Sequence, residues 1–259
     1  MSAFEKVPYA DGEIALTGLL FRPAGKPRAA IAVYPTIMNT TQAVEDKAQA
    51  LAKAGYLALI VDYYGEKPAG FPRARELAAG IRQQGPETYR KRLKAGLRAL
   101  ASLPEFGPDM PMAAIGFCMG GGAVLELARD GAPLACVVSF HGLLGTDLPA
   151  APGTISARIL VCHGDADPMV PRQQVVQFWR EMTEARANWH FHSYSGVKHG
   201  FTNPYPVQGN DAVAYDASAD RQSWAAMHSL FDEVFGGFRP LQLPVPGGYS
   251  AIGPALIHS

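Results

Sequence analysis

Apolar residues along this chain come in short blocks separated by longer stretches with helical spacing, and the alternation persists for most of its length. The run IALTGLLF (14–21) reads as a strand, and AAIAVY (29–34) as a strand buried on both faces. VEDKAQALAKAGY (44–56) has helical spacing and stops at Gly55, a common residue at helix C-termini. YLALIVDYY (56–64) predicts a further strand that runs into a glycine turn. A basic, Gln-rich stretch from about Arg73 to Leu103 predicts one or two helices, interrupted near Gly85-Pro86. The second half continues the theme. PMAAIGF (111–117), LACVVSFHG (134–142), ARILVCHGD (157–165) and NWHFHSY (188–194) read as strands. MGGGAVLELARD (119–130), QQVVQFWREMTEA (173–185) and ADRQSWAAMHSLFDEVFG (219–236) read as helices.

Continuous apolar strands separated by helices predict an α/β domain whose mostly parallel central sheet is covered by helices on both faces. The opening pair of strands is expected to form an antiparallel edge. No internal repeat or linker divides the chain, so residues 1–236 read as one domain. Residues 237–259, rich in Gly and Pro without periodicity, read as an irregular tail.

Composition narrows the function classes. Lys and Arg number 23 and Asp and Glu 23, so the net charge is zero, without the basic footprint of a nucleic-acid binder or a polybasic membrane anchor. Three cysteines cannot all pair within one chain, which fits a reducing compartment better than a disulfide framework. The opening MSAFEKVPYADGE has no apolar core of a secretory signal, and no run approaches the ~18 apolar residues of a membrane span. A cytoplasmic protein, monomeric or homodimeric, with no nucleic-acid or membrane partner is the expectation.

The chemistry gathers where predicted strands end, the usual place for reactive groups in an open α/β sheet. Gly116-Phe117-Cys118-Met119-Gly120 has the nucleophile-elbow pattern, a strand turning sharply into a helix, with sulfur in place of a serine oxygen. The amides at the start of the following helix favour a thiolate there. Cys136 and Cys162 lie inside apolar runs and read as buried thiols. LVCHGDADPMVP (160–171) runs into a loop with Asp165 and Asp167, and YSGVKHGFTNP (194–204) into a loop with His199. Nucleophile, acid, then histidine is the chain order of α/β-hydrolases. Asp165, beside Gly164, suits a turn or cap, whereas Asp167 before PMVP is expected in an extended loop near the histidine; Asp167 is therefore the predicted orienting carboxylate. His141, His163, His190, His192, His228 and His258 show no metal-ligand spacing, and GFCMGGG lacks the Lys-Ser/Thr of a phosphate-binding loop. No metal or organic cofactor is expected.

On these motifs the sequence resembles the dienelactone hydrolase family, the cysteine branch of the α/β-hydrolases. The likeness rests on GFCMGG (116–121), HGDADPMVP with Asp167, KHGFTNP with His199, LAKAGYLALIVDYYGE (51–66) and AYDASADRQSWAAMHSLFDEVFG (214–236), and covers about residues 5 to 236. The resemblance implies hydrolysis of a small carboxylic ester or lactone through a Cys118-His199-Asp167 triad and a thioester acyl-enzyme. Cys118 attacks the carbonyl, His199 takes the thiol proton and later activates water, and Asp167 orients the imidazole. The backbone N–H groups of Met119 and of Ile37 form the expected oxyanion hole. Members acting on dienelactone usually carry a Glu after the first buried strand; Thr36 stands at that position, and nearby Glu45 reads as a surface helix residue. The arginine that the family places shortly after the histidine is also missing, with Phe201-Thr202-Asn203 in its place. Dienelactone itself is therefore not the expected substrate, and a resting Cys118–His199 ion pair is expected. The rival reading is a weakly active or non-catalytic small-molecule binder of the same fold, with a thiol peptidase or acyltransferase as a lesser alternative. Thr36, Tyr34, Tyr63, Tyr64, Phe71, His141 and Phe201 are the candidate pocket residues.

Overall fold

The computed structural model describes residues 4–205 and 209–236, so the predicted tail 237–259 lies outside the described residues. The strands are β1 (Glu5–Asp11), β2 (Ile14–Phe21), β3 (Ala30–Tyr34), β4 (Leu57–Ile60), β5 (Met112–Phe117), β6 (Cys136–Phe140), β7 (Arg158–Gly164) and β8 (Trp189–Tyr194). The helices are α1 (Gln42–Lys53), α2 (Phe71–Gln83), α3 (Pro86–Ala101), α4 (Met119–Arg129), α5 (Arg172–Glu184) and α6 (Ala217–Val234). One sheet runs in the order β1-β2-β4-β3-β5-β6-β7-β8. Its strands from β4 to β8 are parallel, whereas β2 pairs antiparallel with both β1 and β4. The antiparallel edge is thus β1 with β2, and the run 29–34, expected there as half of the opening pair, sits in the parallel interior instead.

β3 explains its own unbroken apolar spelling. Ala30, Ala32 and Tyr34 face the core under α3, α4 and α5, while Ile31 and Val33 face the core under α1 and α6. A strand covered on both sides has no solvent face on which a polar residue is tolerated. β4 ends at Ile60 rather than running to residue 64 because Asp62 turns the chain. Its carboxylate accepts the N–H groups of Thr17, Tyr64 and Gly65 at 2.9, 2.9 and 3.0 Å, so these amides bond to a side chain and not to a neighbouring strand.

Strand order reverses at β3, which has β4 on one side and β5 on the other. Above the carboxyl ends of β3 and β5 lies the crevice that such a reversal leaves open. The turn from β5 into α4 enters it, and its glycines are fixed by contact. A Cβ on Gly116 would stand 1.9 Å from the Gly120 carbonyl oxygen, and one on Gly120 2.0 Å from that of Tyr34. The helix is clamped from behind by buried Arg129, which bonds Glu181 of α5 at 2.7 Å and the Leu144 carbonyl at 2.7 Å.

These contacts give opposite expectations for two glycine-to-alanine changes. Gly116→Ala forces backbone apart and should cost at least about 3 kcal/mol. Gly80 lies inside α2, and a Cβ added there would meet nothing within 4 Å; as alanine it should gain roughly 0.5–1 kcal/mol. Thermal unfolding checks both: the first variant melts several degrees lower and the second slightly higher. Equal melting temperatures would contradict the account of the turn.

Candidate active site

Cys118 occupies the cap position of α4 with φ 57° and ψ −114°, a left-handed backbone that costs a side-chain-bearing residue about 1–3 kcal/mol. The same geometry lifts its side chain out of the sheet toward the crevice. Two loops converge on it. A Cβ on Gly164 would lie 2.4 Å from the Val197 carbonyl oxygen, so the loops after β7 and β8 are in direct backbone contact. The Ala166 N–H donates to Val197 at 3.0 Å and the Asp165 N–H to Tyr194 at 2.9 Å, sealing that contact.

Between the loops, His199 Nδ1 and Asp167 Oδ2 are 2.7 Å apart, with both residues buried. The other carboxylate oxygen accepts the Met169 N–H at 2.8 Å, so Asp167 sits in consecutive turns rather than in the extended loop expected from PMVP. Asp165 instead pairs with exposed Arg172. His199 Nε2 has no partner at good hydrogen-bond geometry; a looser polar contact and charge join it to the Cys118 sulfur. Burial disfavours the His199 cation, but bonding and charge from Asp167 and Cys118 outweigh it and push the imidazole up to about 10. Burial likewise opposes the Cys118 thiolate, yet His199 and the N–H groups of Met119 and Ile37 hold the thiol below its ordinary value.

The two amides aimed at sulfur come from different elements. Met119 N–H belongs to the first turn of α4, where four helical amides lack intrahelical partners. Ile37 N–H belongs to the turn after β3. There Thr36 Oγ1 accepts the Met38 N–H at 3.2 Å, and Asn39 closes the turn with φ 59° and its side chain on Asp62 at 2.8 Å. Tyr64 ties the pair together: its hydroxyl donates to the Ile37 carbonyl at 3.1 Å and lies 3.6 Å from Met119 Sδ.

Of the other candidate pocket residues, Tyr34 and Tyr63 are core residues whose hydroxyls donate to Leu93 and Pro35 carbonyls. Phe201 is fully buried against Tyr194 and His141, and Phe71 is half exposed at the start of α2. Tyr34, Tyr63 and Phe201 therefore expose almost no surface to a substrate. Two openings lie along α2, and neither is lined by Cys118, Asp167 or His199. A cleft of about 310 Å³ is lined by Arg82, Tyr89, Gly122 and Leu143 among others, and a groove of about 460 Å³ by Ile37, Ala78 and Arg82. Cys136 and Cys162 are buried, as their apolar runs predict, and desolvation pushes both thiols up to about 12. No helix among the described residues is long and apolar enough to cross a membrane.

The family model described as "Dienelactone hydrolase family" matches residues 16–235. Among solved structures, "m3DLH" is similar with a TM-score of 0.82 and 34% identity, covering 90% of this chain and 98% of its own. The dienelactone hydrolase-like promiscuous phosphotriesterase P91 from metagenomic libraries is similar with a TM-score of 0.79 and 32% identity over the same shares. A Bradyrhizobium sp protein named "Probable 2-oxo-3-(5-oxofuran-2-ylidene)propanoate lactonase" is 29% identical over 202 residues, which are 74% of this chain and 80% of that one.

Proposed function

This chain belongs to the dienelactone hydrolase family and has the α/β-hydrolase fold, and from that premise we propose that it cleaves carboxylic ester or lactone bonds through Cys118, His199 and Asp167. The observation that carries the reading is the bonding of His199: Nδ1 is held by Asp167 at 2.7 Å while Nε2 is left for the sulfur and the reacting atoms. The lactonase name of the Bradyrhizobium relative supports the same bond class.

In the proposed reaction the resting pair is Cys118 thiolate and His199 imidazolium. The thiolate attacks the substrate carbonyl carbon, and the electron pair of the C=O bond moves onto oxygen. That oxyanion takes the place from which Met119 and Ile37 N–H groups reach toward sulfur, and losing one such donor costs about 3 kcal/mol of transition-state stabilisation. Collapse of the tetrahedral intermediate breaks the C–O bond, with Nε2–H of His199 delivering its proton to the departing alkoxide. The acyl group now rides on sulfur as a thioester. Neutral His199 then accepts a proton from water as the water oxygen attacks the thioester, and the second collapse returns acid and thiolate. Asp167 keeps Nδ1 protonated throughout, so that Nε2 is the nitrogen that exchanges protons. The groove lined by Ile37 reaches a proposed oxyanion donor and is the candidate space for the acyl or alcohol portion.

Thr36 does not prevent this chemistry, because its hydroxyl is spent on the Met38 amide and the thiol is lowered without a carboxylate there. A panel of p-nitrophenyl esters and small lactones, with intact-mass analysis of acid-quenched reactions, tests the proposal. Turnover with an acyl adduct mapped to Cys118 is expected; absence of activity on every acyl substrate would favour the small-molecule binder. The pH profile has a definite sign. Cys118 is lowered, so activity and thiolate ultraviolet absorbance rise together below the ordinary thiol range. His199 is raised to about 10, so activity should decline only as pH approaches that value and the imidazolium proton is lost. A thiolate signal that appears only above the ordinary thiol range would contradict the ion pair.

A further inference from the structure

The reaction above leaves one buried imidazole at the site without a task. His141 follows β6 with a left-handed φ of 40°, a conformation that a histidine adopts rarely and that its surroundings must enforce. The enforcement comes from packing. His141 N–H donates to the Cys162 carbonyl at 2.8 Å, and a Cβ on the next residue, Gly142, would lie 2.5 Å from the carbonyl carbon of Gly121 in α4. The turn thereby drives the ring between the Cys118 elbow and the His199 loop.

Both ring nitrogens are engaged there. Nδ1 accepts the backbone N–H of Cys118 at 3.1 Å, a donor it shares with the Phe140 carbonyl at 3.1 Å. Nε2 lies 2.8 Å from Thr202 Oγ1, in the loop that carries His199. A nitrogen that accepts bears no proton, so the ring hydrogen sits on Nε2 and points to Thr202. The ring meets His199 edge-on, centroids 5.2 Å apart, and packs against Phe117 and Phe201 on its other sides. Burial, followed by the charges of His199 and Lys47, holds His141 well below its ordinary value, so it stays neutral beside the His199 cation.

We infer that His141 is a positioning residue: anchored by Thr202, its neutral ring grips the amide of Cys118 and thereby aims Sγ at His199. This rests on Cys118 being the nucleophile. It goes beyond that reading by linking the turn that bears the nucleophile to the loop that bears the base through one imidazole. A ring that is protonated on both nitrogens could not accept the Cys118 amide.

Asparagine and glutamine separate the two bonds, since an Asn amide reaches the place of Nδ1 and a Gln amide that of Nε2. The expected result for H141L is a loss in kcat of about tenfold to a hundredfold with KM changed far less. Its Cys118 thiolate absorbance should titrate at higher pH than in wild type, a readout that needs no substrate. H141N should recover most of that kcat and the wild-type titration, H141Q should recover little, and T202V should fall between. If H141L does not fold, the contrast between H141N and H141Q decides alone. Wild-type kcat and thiolate titration in H141L, or folded H141N no better than H141Q, would overturn the inference while leaving the function intact. Full activity in Cys118→Ala would instead remove the function reading and this inference with it.

Discussion

Cys118→Ala is expected to lower kcat on any turned-over ester by about ten-thousandfold or more, the scale seen when a covalent nucleophile is deleted. The expectation follows from what remains in the variant. Asp167, His199 and the Met119 and Ile37 amides would still bind a carbonyl compound and polarise it, but no atom would be left to form the thioester. Residual hydrolysis would come from water attacking directly. Loss of folding would not explain such a result, because alanine inherits the same left-handed backbone and removes a charge from a largely enclosed place. A melting temperature at or above that of wild type, together with the lost kcat, is the combined signature. Activity within tenfold of wild type would assign the chemistry elsewhere.

His199→Ala should cost nearly as much, about a thousandfold or more, and should change the sulfur as well as the rate. The protein contains its own reference for a thiol without such a partner. Cys136 and Cys162 are buried without an imidazole, and desolvation pushes both up to about 12. Cys118 would keep the Met119 and Ile37 amides but lose the group that contributes most against burial. Its thiolate absorbance should therefore vanish at neutral pH, and its alkylation by iodoacetamide should slow in proportion. A variant that stays inactive yet keeps the wild-type thiolate signal would mean that the helix and loop amides alone ionise the sulfur.

Much of this site can be read from one dimension. GFCMG declares a strand-to-helix turn because only glycines survive the contacts that Gly116 and Gly120 make. The order of Cys118, Asp167 and His199, each after its own strand, follows from a parallel sheet that delivers every strand's carboxyl end to the same edge. Asp167 bonds His199 and Asp165 does not, and turns rather than the expected extended loop carry Asp167 there. Pocket walls are harder to read. An aromatic residue at a strand end looks the same in sequence whether it faces a crevice or the core, and Tyr34, Tyr63 and Phe201 face the core. His141 was visible as a histidine before a glycine, but its task depends on a positive φ and on partners 23 and 61 positions away. No local pattern encodes those.

The contact between Gly120 and the Tyr34 carbonyl bears on how members of such a protein lineage could diverge. Because α4 rests on the end of β3 backbone against backbone, the separation of the Met119 and Ile37 amides is set chiefly by main-chain contact, with Tyr64 the side chain that braces both. In the proposed mechanism that gap acts as a nearly fixed gauge for the oxyanion. Under the proposed mechanism, changes along α2, α3 and the loop after β6 would alter which acyl or alcohol groups are admitted, while the developing charge would meet the same two donors. New substrates would then be reached by exchanging walls around one inherited reacting geometry.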